Sequence, residues 1–187
     1  MIHSRHSIRL PSYDYTANGA YFITICTHKR EHSLSEIINN KIKLSVIGKI
    51  VSEKWDDIPN HYNHIELGEF IMMPNHIHGI IWIVSPNAGA HLGVTTEESE
   101  ERICQGKPQQ NEIYKRKFGK PQSGSLSMII NQFKGSVKRW CNKNNQKWFR
   151  WQRNYYEHII RCEKDLNNIT EYIKKNPINW SIDEYKE

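Results

Sequence analysis

The chain has 187 residues, 37% hydrophobic and 25% charged, with 26 Lys and Arg against 20 Asp and Glu for a formal charge of +6. That is one domain's length with enough apolar material for a modest core, which excludes wholesale disorder and any collagen-like or coiled-coil fibre. No run approaches the roughly 18 to 20 apolar residues that cross a bilayer, and the start MIHSRHSIRLPSYDY lacks the apolar stretch of a signal peptide, so the reading is a cytoplasmic protein with no membrane partner.

Four cysteines, Cys26, Cys104, Cys141 and Cys162, fall singly without a CxxC pair, which points to reduced thiols rather than a zinc knuckle or a disulfide framework. The charge is concentrated. From Lys107 to Arg153 there are 12 basic residues and one acidic residue, Glu112, whereas from Asn154 onward 5 basic residues meet 7 acidic ones. A polyanion suits such a segment, and 6 Trp and 9 Tyr are available to stack on unpaired bases, although solubility accounts for part of the charge.

In chain order, Ala20 to Thr27 (AYFITICT) reads as a buried strand after the turn-like Asn18-Gly19. A helix is expected from Leu34 or Asn40 to Trp55, with Ile42, Val46 and Ile50 on one apolar face and Pro59 as its stop. Residues 62–73 and 76–84 read as two long apolar strands, and the short Pro74-Asn75 link makes them adjacent and antiparallel. Residues 85–123, with Pro, Gly, Ser, Gln, an acidic cluster from Glu97 to Glu101 and the basic run Lys115-Arg116-Lys117, read as an insertion. Ser125 to Trp140 resumes helical spacing. Leu126, Ile129 or Ile130, Phe133, Val137 and Trp140 form its core stripe, Ser125 its cap, and Lys134, Lys138 and Arg139 its outer face.

Phe149 to Ile160 is aromatic and β-branched enough for a strand, with a turn at Tyr155, Tyr156 and His158 as the alternative. Cys162 to Lys175 is helical, with Leu166, Ile169 and Ile173 inward and Pro177 beyond its end. The order is strand, helix, strand, strand, helix, strand, helix. This is an α+β fold: a ferredoxin-like βαββαβ antiparallel sheet with helices on one face and an added C-terminal helix, in a single domain over residues 1–187.

The sharpest local feature is Pro74-Asn75-His76-Ile77-His78. On a strand His76 and His78 face the same side while Ile77 enters the other, so two imidazoles can chelate a divalent cation. An HxH alone also arises by chance, but the strand continues Ile80-Ile81-Trp82-Ile83, and two polar rings at its start need a reason. On the last helix Tyr172 and Asn176 are i and i+4 and share a face, with Ile173 turned to the core. A phenol with a pKa of about 10 attacks only beside positive charge or a polarised electrophile, and a carboxamide oxygen suits a hard cation. Read alone, Tyr172 is a half-buried tyrosine and Asn176 a helix cap. The stretch from Trp148 to His158 interleaves Arg150, Trp151 and Arg153 with aromatics, which suits phosphate contacts and base stacking or, equally, a sheet core with solvated arginines; for Glu157 and His158 a structural role is the stronger reading and metal or proton handling the alternative.

Together MPNHIHGIIW (73–82), WQRNYYEHIIRCEKDL (151–166), EYIKKNP (171–177) and GAYFITICTHKR (19–30) resemble the single-strand DNA transposases of the IS200/IS605 type, and more closely the bacterial repetitive-extragenic-palindrome-associated (REP-associated) tyrosine transposases. The resemblance covers most of the chain. It implies an HUH-type endonuclease domain in which His76 and His78 bind Mg²⁺ or Mn²⁺, Asn176 is the third metal ligand and Tyr172 the nucleophile, with Tyr155 and Tyr156 as alternative nucleophiles. It further implies cleavage and rejoining of single-stranded DNA at palindromic or hairpin elements through a 5′-phosphotyrosine. Lys134, Lys138, Arg139, Arg150, Trp151 and Arg153 are then the candidate DNA contacts. A homodimer and a monomer both remain open. The competing readings are a catalytically inactive module binding a DNA hairpin or RNA on the same scaffold, which metal-dependent adduct formation separates, and a hydrolytic zinc enzyme, which lacks an HExxH or a third nearby histidine.

Overall fold

The computed structural model describes residues 13–84, 122–183 and 185. The expected insertion at 85–123, with Lys115 to Lys120, therefore lies almost wholly outside the described residues. Four strands form one antiparallel sheet in the order β4-β5-β1-β6: β1 is Gly19–Cys26, β4 Ile65–Met72, β5 His76–Ile83 and β6 Tyr156–Ile160. Helices α1 (Val46–Asp56) and α3 (Leu126–Lys143) cover one face, and α4 (Glu163–Lys175) covers the other. The short helix α2 (Ile58–His61) follows α1, with Pro59 in its first turn. The result is the ferredoxin-like core with its added C-terminal helix.

Alternation along β1 builds both layers. Tyr21, Ile23 and Ile25 enter the larger core with Ile47, Val51 and Trp55 of α1 and Ile129, Phe133 and Val137 of α3. Ala20 and Phe22 join Ile80 and Ile160 under Ile173, Leu166 and Ile169 of α4. Because β1, β5 and β6 are in register, directly opposed residues share a face, so His78, Thr24 and Tyr156 form one row across the sheet.

One expected element is replaced. Residues 35–44 form a hairpin of β2 (Ser35–Ile38) and β3 (Lys41–Leu44), not the start of a helix. Asn39 and Asn40 both take positive φ, 51° and 59°, as a two-residue turn between twisted strands requires, and asparagine tolerates that conformation best after glycine. The helix begins at Val46 because Ser45 caps it, its Oγ accepting the Gly48 N–H at 2.9 Å. The buried stripe of α1 is accordingly Ile47, Val51 and Trp55 rather than Ile42, Val46 and Ile50; Val46 is 62% exposed.

A second expectation is shortened. The strand forecast from Phe149 starts only at Tyr156, and before it Trp151 makes a single bridge to Thr27. The Arg150 carbonyl accepts the His28 N–H at 2.8 Å, but other carbonyls of this stretch are met by ammonium groups instead of a strand. Lys134 Nζ donates to the carbonyls of Gln152 and Asn154 at 2.6 and 3.3 Å, and Lys138 Nζ to those of Phe149 and Lys147 at 2.7 and 2.9 Å.

Gly79 follows the two histidines on β5, where a Cβ would stand 2.4 Å from Trp55 Cζ2. The buried indole of Trp55 lies against the strand at this point, so Gly79→Ala forces the ring or the strand to move. Overpacking of this kind costs about 1–3 kcal/mol. The expected result in urea unfolding is a lower midpoint with an unchanged m-value, and an unshifted midpoint would show that Trp55 yields freely.

Candidate active site

His76 and His78 open β5, and both are 0% exposed, while Ile77 between them enters the larger core. Each ring is held through its Nδ1. Thr24 Oγ1, directly across on β1, lies 2.8 Å from His78 Nδ1. Asn75 Oδ1 lies 2.7 Å from His76 Nδ1, and the amide's orientation is fixed because its Nδ2 donates to the Tyr185 carbonyl at 2.6 Å. His76 Nδ1 must therefore donate, which leaves Nε2 of the neutral ring as a lone pair. Burial lowers the pKa of His76 to about 2, with His78 and the Arg30 charge adding to the effect, and burial alone lowers His78 to about 3. Both rings are thus uncharged ligands at neutral pH.

The two Nε2 atoms stand 3.0 Å apart. Two ligands about 2.1 Å from an octahedral ion and at right angles to each other are separated by about the same distance. Asp183 completes a group, its Oδ2 being 3.9 Å from His76 Nε2, and the ligand atoms of His76, His78 and Asp183 all lie within 4.8 Å of one another. Asn176, 3% exposed at the end of α4, carries an Oδ1 that is buried with no hydrogen-bond partner among the described residues. An orphaned carbonyl oxygen is costly unless something is to be bound there. The neutral nitrogens of His76 and His78 and the Asp183 carboxylate make a donor set that fits a hard divalent ion. Asp183 was not anticipated from sequence, since it lies in an irregular segment with no motif around it.

Tyr172 stands over this group. Its Oη is 3.3 Å from His78 Nε2, its ring makes edge contacts with His78 and Phe22, and it is 42% exposed. Phe22 in turn stacks on His78 at 5.3 Å. The other two tyrosines go elsewhere. Tyr155 is 8% exposed in the larger core on the far face of the sheet. Tyr156 shares the face of His78 but lies two strands away. His158 is engaged by Asp165 of α4 at 2.8 Å and so ties β6 to that helix. On the remaining side the Tyr185 ring packs on His76 and His78 at 5.0 and 5.7 Å, with the Arg30 guanidinium 5.5 Å from its centroid and Trp180 6.1 Å from His76. Lys29 and Arg30 hold left-handed backbone, φ 52° and 54°, a strain concentrated beside the site.

The six basic and aromatic candidates separate. Lys134 and Lys138 spend their ammonium groups on the 147–154 carbonyls, and the Trp151 ring packs on Phe149 and Phe133 at 5.0 and 6.1 Å. These three serve the fold. Arg139, Arg150 and Arg153 are exposed.

The buried imidazoles set a pH dependence. Both pKa values are depressed below the ordinary 6.5, so the unfolded chain takes up protons that the native protein refuses. Their contribution to stability is present above about pH 6.5 and is lost as pH falls toward 3. Each ring contributes a slope of about 1.4 kcal/mol per pH unit in that window. In EDTA the urea midpoint should drop between pH 6.5 and 4.5, and drop less steeply in His76→Gln. Equal slopes in the two proteins would show that His76 is protonated in the native state.

A ferredoxin-like antiparallel sheet carries a paired HxH on an inner strand with a tyrosine of a following helix set against it, which is the arrangement the resemblance to HUH-type domains led us to expect. No family model matches the chain. It is 39% identical over 184 residues, 98% of this chain and 93% of the relative, to an uncharacterized protein of Haemophilus influenzae. A "Putative REP-associated tyrosine transposase" from the same organism is 26% identical over 172 residues, 88% of this chain and 73% of that one. The solved structure of a REP-associated tyrosine transposase bound to a REP hairpin superposes with a TM-score of 0.53 at 16% identity, over 96% of this chain and 74% of that one. The chain thus shares a family with the uncharacterized Haemophilus influenzae protein, is similar in sequence to a putative REP-associated tyrosine transposase, and has the fold of the solved one.

Proposed function

We propose that this protein cleaves and rejoins single-stranded DNA beside a palindromic or hairpin element, using Tyr172 as nucleophile at a divalent-metal site. The observation that carries the reading is the Tyr172 hydroxyl 3.3 Å from His78 Nε2, at the margin of the buried His76, His78 and Asp183 group. The solved relative's REP hairpin is the model for the substrate.

His76, His78 and Asp183 would hold Mg²⁺ or Mn²⁺, with the unpaired Oδ1 of Asn176 one turn after Tyr172 as a further ligand. When bound, such an ion supplies charge stabilisation to the non-bridging oxygens of the scissile phosphate. Asn75 and Thr24 keep the imidazoles aimed. Phe22 and His78 hold the Tyr172 ring so that its Oη faces the site. Tyr172 Oη bonds to phosphorus as the P–O3′ bond breaks, the phenolic proton leaves to solvent and the departing 3′ oxygen takes one up. A 5′-phosphotyrosine and a free 3′-OH result. Attack by a 3′-OH reverses the step, so joining needs no external energy source.

Both ligand rings are fully buried, with Tyr172, Trp180 and Tyr185 packed against them. Arg139, Arg150 and Arg153 are the candidate contacts to the DNA backbone. The test incubates the protein with a labelled DNA hairpin bearing single-stranded tails, in Mn²⁺, Mg²⁺ or EDTA. The expected product is a metal-dependent nick with protein attached to the 5′ end and a free 3′-OH on the other fragment. Tight binding with no nick in either metal on any palindrome from the gene's own flanks would favour the noncatalytic module.

A further inference from the structure

We infer that Tyr156 is a stacking residue that holds the DNA base flanking the scissile phosphate, and so sets affinity and base preference at that position. The inference rests on the single-stranded DNA reading above and adds a residue to it. Tyr156 opens β6, which among the described residues is an edge strand paired with β1 alone. The shared register of Thr24 with His78 on one side and Tyr156 on the other puts all three in one row on one face. Tyr156 therefore lies two strand spacings from the metal-ligand strand, about 10 Å at the backbone.

Between them the Phe22 ring meets Tyr172 at 6.1 Å and Tyr156 at 6.4 Å, both edge-on, so the two tyrosines flank one buried phenylalanine. Tyr172 and Tyr156 are 42% and 48% exposed, and both stand outside the apolar layer that α4 buries against the sheet. A large aromatic ring left half in solvent, braced from behind and aligned with the reacting group, offers a face to a base. The exposed Arg153 and Asn154 lie just before it on the chain, where a phosphodiester backbone can be met. Stacking tolerates any base but favours the larger purine surface, so Tyr156 predicts a purine preference, not strict readout.

The test uses a DNA hairpin with single-stranded tails, 2-aminopurine replacing one tail base at a time, titrated with protein carrying Tyr172→Phe so that the DNA stays intact. At one position beside the cleavage point, fluorescence should be quenched with Tyr156 present, and quenched equally with Tyr156→Phe or Tyr156→Trp. Tyr156→Ala should lose the quench and weaken binding by about 5- to 150-fold. The wild-type purine preference at that position should disappear with it. Unchanged quenching and affinity in Tyr156→Ala overturns the inference, as does absence of binding by every protein. Failure of the chemistry alone, with no nick in the preceding experiment, leaves the quench in place, so the two failures are told apart.

Discussion

Tyr172→Phe should reduce cleavage of a tailed hairpin by at least about 10³-fold, the scale on which loss of a covalent nucleophile acts. The phenyl ring keeps the edge contacts with Phe22 and His78. Only Oη is lost, and Tyr172 is 42% exposed, so the fold and the hairpin affinity in EDTA should be unchanged. Tyr155→Phe is the matched control. It removes a hydroxyl from the far face of the sheet and should leave the cleavage rate within about two-fold, since a rate effect requires contact with the reacting groups. Cleavage persisting in Tyr172→Phe and lost in Tyr155→Phe would reverse the assignment.

His78→Ala should abolish Mn²⁺ binding by calorimetry and cleavage with it, while hairpin binding in EDTA persists. His78 Nε2 is the point from which His76 Nε2 is 3.0 Å and Tyr172 Oη 3.3 Å distant, so in the proposed mechanism its loss would remove a ligand and the group that faces the nucleophile together. The supporting layer gives a graded counterpart. Asn75→Ala frees His76 Nδ1 and should weaken Mn²⁺ about 10- to 100-fold. Asn75→Asp keeps an acceptor for His76 and should recover most of that loss, although it gives up the donor to the Tyr185 carbonyl. Equal metal affinity in wild type and His78→Ala would remove His78 from the site.

The parts of this architecture that were legible in the sequence are those written in local periodicity. β1, β5, α3 and α4 carry alternation or helical spacing over eight or more residues, and Ser125 at the start of α3 is a cap in the structure, its Oγ accepting the Met128 N–H. That His76 and His78 share one face, and Tyr172 and Asn176 another, is legible because i and i+2 on a strand and i and i+4 on a helix fix which residues lie together; the roles expected of them came from the family resemblance. What misled was competing local chemistry. Ile42, Val46 and Ile50 satisfy a helical spacing that the Asn39-Asn40 turn overrides. The stretch before Tyr156 has strand-forming residues, but several of its carbonyls are taken by Lys134 and Lys138 from α3, contacts of 9 to 20 residues' separation that the local residue pattern does not reveal. Asp183 and Tyr185 reach the histidines only because the chain after Pro177 turns back over the site, and no residue pattern near them encodes that return.

The most direct measurement is the location of the phosphodiester on the protein. After reaction with a tailed hairpin in Mn²⁺, nuclease trimming and tryptic digestion, mass spectrometry reads which peptide carries the nucleotide. Trypsin separates the candidates: Tyr172 is the only tyrosine between Asp165 and Lys174, Tyr155 and Tyr156 share the peptide from Asn154 to Arg161, and Tyr185 lies beyond Lys175. The account predicts the nucleotide on the peptide from Asp165 to Lys174, in Mn²⁺ and not in EDTA. A nucleotide on the Asn154 to Arg161 peptide, or nicked DNA with no modified tyrosine, contradicts it.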